Sequence, residues 1–291
     1  MKGRWRPYLF ILPALVPLVL FTYFPLWRTL ELSFLDWNMI SPDKRWAGLT
    51  NYRSLFESRE FWMASWNTLK YTALLLLLNL AGPLLVAHGV TRVGRRWQAF
   101  YKEVIFAPAV VSLAVASVIF LWIFNPLVGA ANVFLGALGL PAPNWLSDYT
   151  WVIWALAAIT AWKSFGYNFI VLLAGLLSVP KELEEAARVD GSSGFQITRR
   201  VILPLTSSTI LYVLVSTVVL GSQYVFVPIE MLTGGGPNQA STNLVHLIYQ
   251  FAFSFFKTGY AAAASVVTFL GFLALIFLQA RVMERRVYYE N

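Results

Sequence analysis

The sequence predicts an all-α integral membrane protein with six spanning helices, and three observations support this prediction. Of the 291 residues, 58% are hydrophobic and only 12% are charged, whereas typical globular domains have roughly 25% charged residues. The mean hydropathy is +0.63. Apolar blocks recur along the whole chain, with no gap as long as a soluble domain. We therefore expect residues 1–291 to form a single transmembrane domain.

Six segments have the length that a helix needs to cross the hydrocarbon core, about 20 mostly apolar residues. We expect helices because lipid leaves backbone groups no partner outside their own segment. The first segment follows three basic residues, as a signal peptide does, but it is longer, contains three prolines and has no small-residue exit. We interpret it as a retained helix. The six predicted spans are Tyr8–Trp27, Tyr71–Val90, Val104–Phe124, Trp151–Val179, Leu205–Pro228 and Tyr260–Gln279.

Basic residues are unevenly divided between the two sides of this arrangement. The connections on one side, together with both chain ends, hold 14 of the 22 lysines and arginines, and the other side holds seven in a longer stretch of chain. Cytoplasmic connections carry the excess of basic residues, so we expect both termini to be cytoplasmic. This topology also accounts for the net charge of +8, and we expect no nucleic-acid partner. The expected location is the bacterial inner membrane.

Several kinds of chemistry are excluded or disfavoured by missing residues. The chain has no cysteine, so disulfides and thiolate chemistry are excluded. It has no Gly-x-x-x-x-Gly-Lys-Ser/Thr sequence, so ATP hydrolysis is expected on a separate subunit. His88 and His246 are isolated in sequence and are predicted to have packing or interfacial roles. We expect no catalytic residue, no metal site and no cofactor bound by this chain.

The connection at residues 180–204, on the predicted cytoplasmic side, has an unusual pattern. Ser178 is predicted to cap a short helix with Pro180 near its first position, and acidic residues in the first turns suit the positive end of the helix dipole. Gly191 is predicted to end this helix. A second short helix is predicted to begin at residue 192 or 193 and to finish at Pro204, where proline interrupts the hydrogen-bond ladder. A plain surface linker would fit this pattern equally well.

A resemblance favours a functional role for this connection. Glu-Ala-Ala, then glycine four residues on, then Leu-Pro at a long fixed spacing, resembles the EAA loop of ABC importer permeases. Val201 stands where that loop usually has isoleucine, and Ser192 replaces an alanine of the sugar-permease branch. The residues that carry the motif are Glu185, Ala186, Ala187, Asp190, Gly191, Leu203 and Pro204.

The resemblance extends over nearly the whole chain. Gly48–Tyr52, Ala161–Pro180, Met231–Pro237 and Gly259–Ala263 are similar to segments of maltose-type and glycerol-phosphate-type permeases. The resemblance implies the type I ABC importer permease fold of the carbohydrate-uptake family. It also implies a second homologous permease, a cytoplasmic ATPase dimer that binds ATP and Mg²⁺, and an extracytoplasmic solute-binding protein as partners. The EAA loop would then form the coupling helix that docks on the ATPase.

The same resemblance implies a set of residues along the solute path. Lys163 is the only Lys, Arg, Asp or Glu in the six predicted spans, and intramembrane charges are costly, so it is a functional candidate by default. The alternative interpretation is that the side chain of Lys163 extends to the membrane interface. A sugar or oligosaccharide is the expected solute, and glycerol 3-phosphate or a glycerophosphodiester is the alternative. The candidate path residues are Thr160, Lys163, Ser164, Tyr167, Ser222 and Gln223.

Two other classes of protein remain to be compared with this interpretation. A secondary transporter often has internal repeats and paired broken helices, and the two halves of this sequence show no convincing repeat. A membrane-embedded enzyme would need ionisable groups clustered at one depth, and Lys163 stands alone in the spans. Purification with or without a bound ATPase would distinguish an ABC importer permease from a secondary transporter or a membrane-embedded enzyme.

Overall fold

The computed structural model describes residues 6–284, which are almost entirely helical and form two compact units. Residues 6–62 and 247–271 make up one unit, and residues 63–246 and 272–284 make up the other. In chain order the α-helices are α1 (Arg6–Leu18), α2 (Phe24–Leu32), α3 (Thr50–Glu57), α4 (Arg59–Thr91), α5 (Arg95–Val110), α6 (Leu113–Ile123), α7 (Ala130–Ala137), α8 (Val152–Leu177), α9 (Lys181–Val189), α10 (Gly194–Ile197), α11 (Leu203–Leu205), α12 (Ser207–Pro228), α13 (Leu244–Tyr249) and α14 (Thr258–Glu284).

Four π-helical turns and one short hairpin complete the described structure. The hairpin pairs β1 (Leu35–Asp36) with β2 (Arg45–Trp46) in antiparallel register, with Leu35 opposite Trp46. In the same unit, the Asn51 side-chain amide donates to the carbonyls of Ser33 and Leu35, each at 2.9 Å. The π turns are Val19–Tyr23, Thr198–Ile202, Ile229–Thr233 and Gln250–Ser254.

Five of the six predicted spans are confirmed as long apolar helices, although several extend beyond the predicted bounds. The second begins at Arg59, twelve residues before the predicted Tyr71, because the helix includes Arg59–Lys70, a stretch with three charged residues that precedes the apolar block. The five candidate spans in the described residues are Phe10–Leu32, Arg59–Thr91, Val152–Leu177, Ser207–Thr233 and Thr258–Val282.

The prediction of one continuous helix over Val104–Phe124 is wrong. Helices α5 and α6 meet there at a bend of 95°, with extended backbone at Val111 and Ser112. Ser112 begins α6 as its N-cap, and its hydroxyl accepts the N–H of Val115 at 3.2 Å. Pro108 lies in the last turn of α5, where proline weakens a helix. The hydropathy of the segment is high throughout, so it gave no sign of the break.

Helix α8 lies at the centre of the second unit. Fifteen of its residues are buried, and they contribute to both apolar clusters of that unit. Gly166 lets α8 approach α5 closely, because a Cβ at this position would lie 2.5 Å from the carbonyl oxygen of Ile105. Small residues serve the same purpose at helix contacts in many membrane proteins. Gly175 plays a matching role toward Thr209 of α12.

Candidate coupling element and solute cavity

The segment from Lys181 to Leu205, here named the coupling element, begins differently from the prediction. Pro180 occupies the N-cap of α9 with extended backbone, and Lys181 is its first helical residue. Ser178 caps the other helix: it follows the end of α8, and its hydroxyl donates to the carbonyl of Gly175 at 2.8 Å. The prediction that Ser178 is the N-cap of α9 is therefore wrong. Helix α8 continues to Leu177, and the Ser178 hydroxyl bonds to a carbonyl of α8.

The predicted end of α9 at Gly191 is confirmed. Gly191 has a φ of +77°, which L-residues with a side chain rarely adopt. Its N–H donates to the carbonyl of Arg188 at 3.0 Å, and the N–H of Ser192 donates to the carbonyl of Ala187 at 3.0 Å. This pair of bonds is the Schellman motif, which satisfies the last carbonyls of a helix and turns the chain sharply.

The second half of the coupling element starts as predicted but ends later. Ser193 and Gln196 form a reciprocal capping box, with distances of 3.4 Å and 2.7 Å. The helix then continues through the π turn Thr198–Ile202 and through Pro204 to Leu205. The predicted stop at Pro204 is wrong because this proline lies in the first turn of α11, where its missing N–H needs no partner.

The coupling element has one face toward the rest of the second unit and one face that is exposed. Ala187 is half-buried against an apolar cluster of that unit, whereas its neighbour Ala186 is exposed. The motif residues Glu185, Ala186, Asp190 and Gly191 are exposed, whereas Leu203 and Pro204 are half-buried. Exposed apolar groups surround the motif: Leu183 at 43%, Phe195 at 73% and Val189 at 87%.

Val189 and Phe195 were missed in the sequence because each is a single apolar residue in a polar segment. Only the geometry of the Gly191 turn shows that the residues before and after it are exposed together. Exposed apolar side chains next to charged ones are typical of a protein contact surface.

A cavity of about 720 Å³ lies beside the coupling element, between it and the ends of α4 and α8. There the Nε2 atom of His88 lies 2.8 Å from an Arg92 guanidinium nitrogen and 3.3 Å from the hydroxyl of Thr198. His88 thus links the end of α4 to the π turn of the coupling element, which agrees with the predicted packing role. His246 is fully buried and lies 3.1 Å from a carboxylate oxygen of Glu230; burial lowers its pKa.

A second cavity, of about 370 Å³, is lined by α4, α5, α8 and α12 and is here named the solute cavity. Eight of the twelve residues that line it have polar side chains, although apolar atoms make up most of the cavity surface. Asn79 is 2% exposed, and its side-chain oxygen has no hydrogen-bond partner. The lining residues are Asn79, Phe106, Ala109, Lys163, Ser164, Tyr167, Asn168, Ser216, Thr217, Leu220, Gly221 and Tyr224.

Three of the predicted path residues, Lys163, Ser164 and Tyr167, line this cavity together. The hydroxyl of Tyr167 lies 2.8 Å from that of Tyr212, and both side chains are about half exposed. The ammonium of Lys163 donates to the carbonyl oxygen of Ala109 at 2.7 Å. Lys163 therefore reaches another helix at the level of the cavity, an arrangement that neither sequence interpretation included.

The other three predicted path residues lie elsewhere. Thr160 is fully buried, and its hydroxyl donates to the carbonyl of Leu156 one turn earlier at 3.1 Å. Ser222 is 2% exposed and its hydroxyl has no partner, while its carbonyl accepts from the Asn243 side chain at 3.0 Å. Gln223 is exposed on the surface of α12. Their place in a solute path stays a prediction.

The two sites share their helices. α8 leads directly into the coupling element and α12 follows it, and both helices line the solute cavity. Apolar spans, a cavity between them with polar side chains in its lining, and an exposed loop continuous with the same helices are the features expected of a permease subunit of an ATP-driven importer.

Comparison with known proteins identifies the family. Residues 80–288 match the family described as the binding-protein-dependent transport system inner membrane component, and the chain belongs to that family. It is a multi-pass protein of the bacterial inner membrane and a subunit of an ABC transporter. The family confirms the resemblance drawn from the EAA loop and its flanking segments.

Curated relatives cover almost the full length of the chain. The probable ABC transporter permease protein YurN of Bacillus subtilis is 34% identical over 286 residues, with 97% of each chain covered. The sn-glycerol-3-phosphate transport system permease protein UgpA of Salmonella choleraesuis is 32% identical over 289 residues, with 99% of this chain and 97% of the relative covered.

A solved structure confirms the fold. A chain of a bacterial ABC transporter involved in the import of the acidic polysaccharide alginate superposes with a TM-score of 0.79. The superposition covers 97% of this chain and 96% of that chain, at 24% sequence identity. A chain of a bacterial alginate ABC transporter, in complex with an alginate pentasaccharide-bound periplasmic protein, superposes with a TM-score of 0.80.

Proposed function

We propose that this chain forms half of the pathway for a sugar or oligosaccharide and transmits ATP-driven movement to it. The observation that carries the proposal is the shared pair of helices: α8 and α12 line the solute cavity and also flank the coupling element. A force applied to the coupling element therefore acts directly on two walls of the cavity. Rigid-body movement of such a pair is a common means of alternating access.

The partners follow from the surfaces that the chain leaves open. The exposed apolar side chains around Gly191 suit a cytoplasmic ATPase dimer, which would bind ATP and Mg²⁺ and carry out hydrolysis. Gln223 and Tyr224 are polar and exposed on a candidate span, and polar groups there are disfavoured in contact with lipid. They suit a second, homologous permease and the solute path between the two. A solute-binding protein would deliver solute from outside.

The lining of the cavity favours a polyol. Hydroxyl and amide groups from Asn79, Ser164, Asn168 and Ser216 offer both donors and acceptors, and tyrosine rings provide apolar surface for sugar faces. The Asn79 side chain belongs to this lining, and its oxygen has no hydrogen-bond partner among the described residues.

A phosphorylated solute is the second candidate. Lys163 lines the cavity, and one of the three N–H groups of its ammonium donates to the carbonyl of Ala109. The remaining donors would suit a phosphate. The likeness to UgpA supports this candidate.

Proteoliposomes that contain the assembled transporter test the proposal. ATP trapped inside and solute-loaded binding protein outside should give uptake of a labelled oligosaccharide, or of glycerol 3-phosphate if the second candidate is correct. ATP hydrolysis should rise when loaded binding protein is added. Uptake that needs no ATP but follows an ion gradient would contradict the proposal and indicate a secondary transporter.

A further inference from the structure

The bend between α5 and α6 leaves backbone carbonyls without helical partners inside a candidate span. The last carbonyls of a helix have no N–H four residues on to accept from, and hydrocarbon provides no water to replace it. Local groups satisfy part of the break: the N–H of Val111 donates to the carbonyl of Pro108 at 3.2 Å, and Ser112 caps the start of α6. The carbonyl of Ala109 is satisfied from another helix.

That partner is Lys163 of α8, whose ammonium lies 2.7 Å from the oxygen of Ala109. The register of the two helices makes this contact possible. Gly166 of α8 lies against the backbone of Ile105 and Phe106 of α5. Lys163 is one turn before Gly166 in α8, and Ala109 is one turn after Phe106 in α5. The antiparallel pair therefore places the lysine at the break.

The charge of Lys163 also suits this position. The carbonyl end of a helix carries partial negative charge, which a cation stabilises, and a bond from an ammonium is stronger than a neutral one. Among residues 6–284, the salt bridges of the structure do not include Lys163. The open end of α5 thus takes the place of a counter-ion.

We propose that Lys163 is a positioning residue that holds the α5–α6 bend against α8 and so fixes the shape of the solute cavity. Its bond to Ala109 stabilises the bent form relative to a straighter one, and Phe106 and Ala109 line the cavity next to it. Movement of α8, driven from the coupling element, would reach α5 through this bond. The inference rests on the proposed function only for its link to transport, since the bend itself can be measured without a solute.

The distance between α5 and α6 provides the test. The chain has no cysteine, so paired spin labels can be placed at Phe100 and Leu121, whose side chains are both exposed. The distance is measured by electron paramagnetic resonance in the assembled transporter without solute. Lys163→Met removes the ammonium at similar length, and because it removes a charge from a span it should not impair insertion. Lys163→Arg keeps a charged donor.

We expect Lys163→Met to shift the distance distribution toward longer values. The ratio of straight to bent forms should rise about tenfold or more, because the variant loses a hydrogen bond from a charged group. Lys163→Arg should retain the wild-type distribution. Lys70→Met is the control, since the Lys70 ammonium lies over the ring of Trp66 in α4 and not at the α5–α6 bend. This variant should also leave the distance between the two labels unchanged.

An unchanged distance in Lys163→Met would overturn the proposal, and a fall in uptake together with that unchanged distance would indicate direct solute contact instead. A shifted distance in Lys163→Met, together with no ATP-dependent uptake of either candidate solute by the wild-type transporter, would support the positioning role while contradicting the proposed function.

Discussion

At the scale of single residues, Gly191 shows how far local sequence patterns can predict this structure. Its position after α9 follows from the helix signals around it, and its φ of +77° confirms the prediction. Lys163 shows the limit. Its rarity in a span marked it as important, but its acceptor is 54 residues away, at a bend that hydropathy does not reveal.

Gly191→Pro should strongly impair coupled transport. The proline ring fixes φ at about −65°, and the N–H that now donates to Arg188 would be lost. Asparagine tolerates the left-handed region far better than other residues with a side chain, so Gly191→Asn should keep most activity. A loss of at least about tenfold in uptake for the proline variant corresponds to roughly 1.4 kcal/mol, and left-handed strain alone costs about 1–2 kcal/mol.

Gly194→Ala is the matched control for that comparison. Gly194 is three residues away, has no positive φ, and a Cβ there would meet no neighbouring atom. Uptake and membrane insertion of all three variants are measured side by side. Wild-type uptake by Gly191→Pro, or an equal loss in Gly194→Ala, would show that the turn is not the important feature.

At the scale of elements, apolar length predicted five spans and missed the bend in the third. Length and hydropathy are sums over about 20 residues, and a break of two residues barely changes them. Pro108 and Ser112 were visible in the sequence, and together they are the signals of a helix end followed by a helix start. The end of the coupling element was also misplaced, because proline was read as a stop although it is favoured in a first turn.

The capping box at Ser193 is expected to keep the second half of the coupling element rigid. Ser193→Ala removes the side chain that accepts from Gln196, at a cost of about 1 kcal/mol. Amide hydrogen exchange in residues 194–200 should become about fivefold faster, and uptake should fall in parallel. Ser193→Thr should preserve the cap, and Ser192→Ala serves as the neighbouring control. Unchanged exchange in Ser193→Ala would show that the cap contributes little to this rigidity.

At the scale of the whole molecule, the class of protein could be predicted from the EAA loop and its flanks, and the family match confirms it. The solute cavity could be predicted only in part. Lys163, Ser164 and Tyr167 lie on one helix and were found from resemblance, whereas Asn79 of α4 and Phe106 of α5 join the cavity only through tertiary packing. Helix contacts of this kind leave no local pattern in a sequence.

The central claim is that the coupling element is the surface through which the ATPase acts on this chain. Because the chain has no cysteine, a single cysteine that carries a photoreactive group can be placed at Ala186, which is exposed on α9. The matched position is Val133, which is exposed on α7 in a connection predicted to lie on the opposite side of the membrane.

The decisive measurement is photo-crosslinking of the intact transporter in membranes. The account predicts a crosslink from position 186 to the ATPase subunit, with a yield that changes between nucleotide-free and ATP-bound states, and no crosslink to that subunit from position 133. An ATPase crosslink from position 133 with none from position 186 would contradict it.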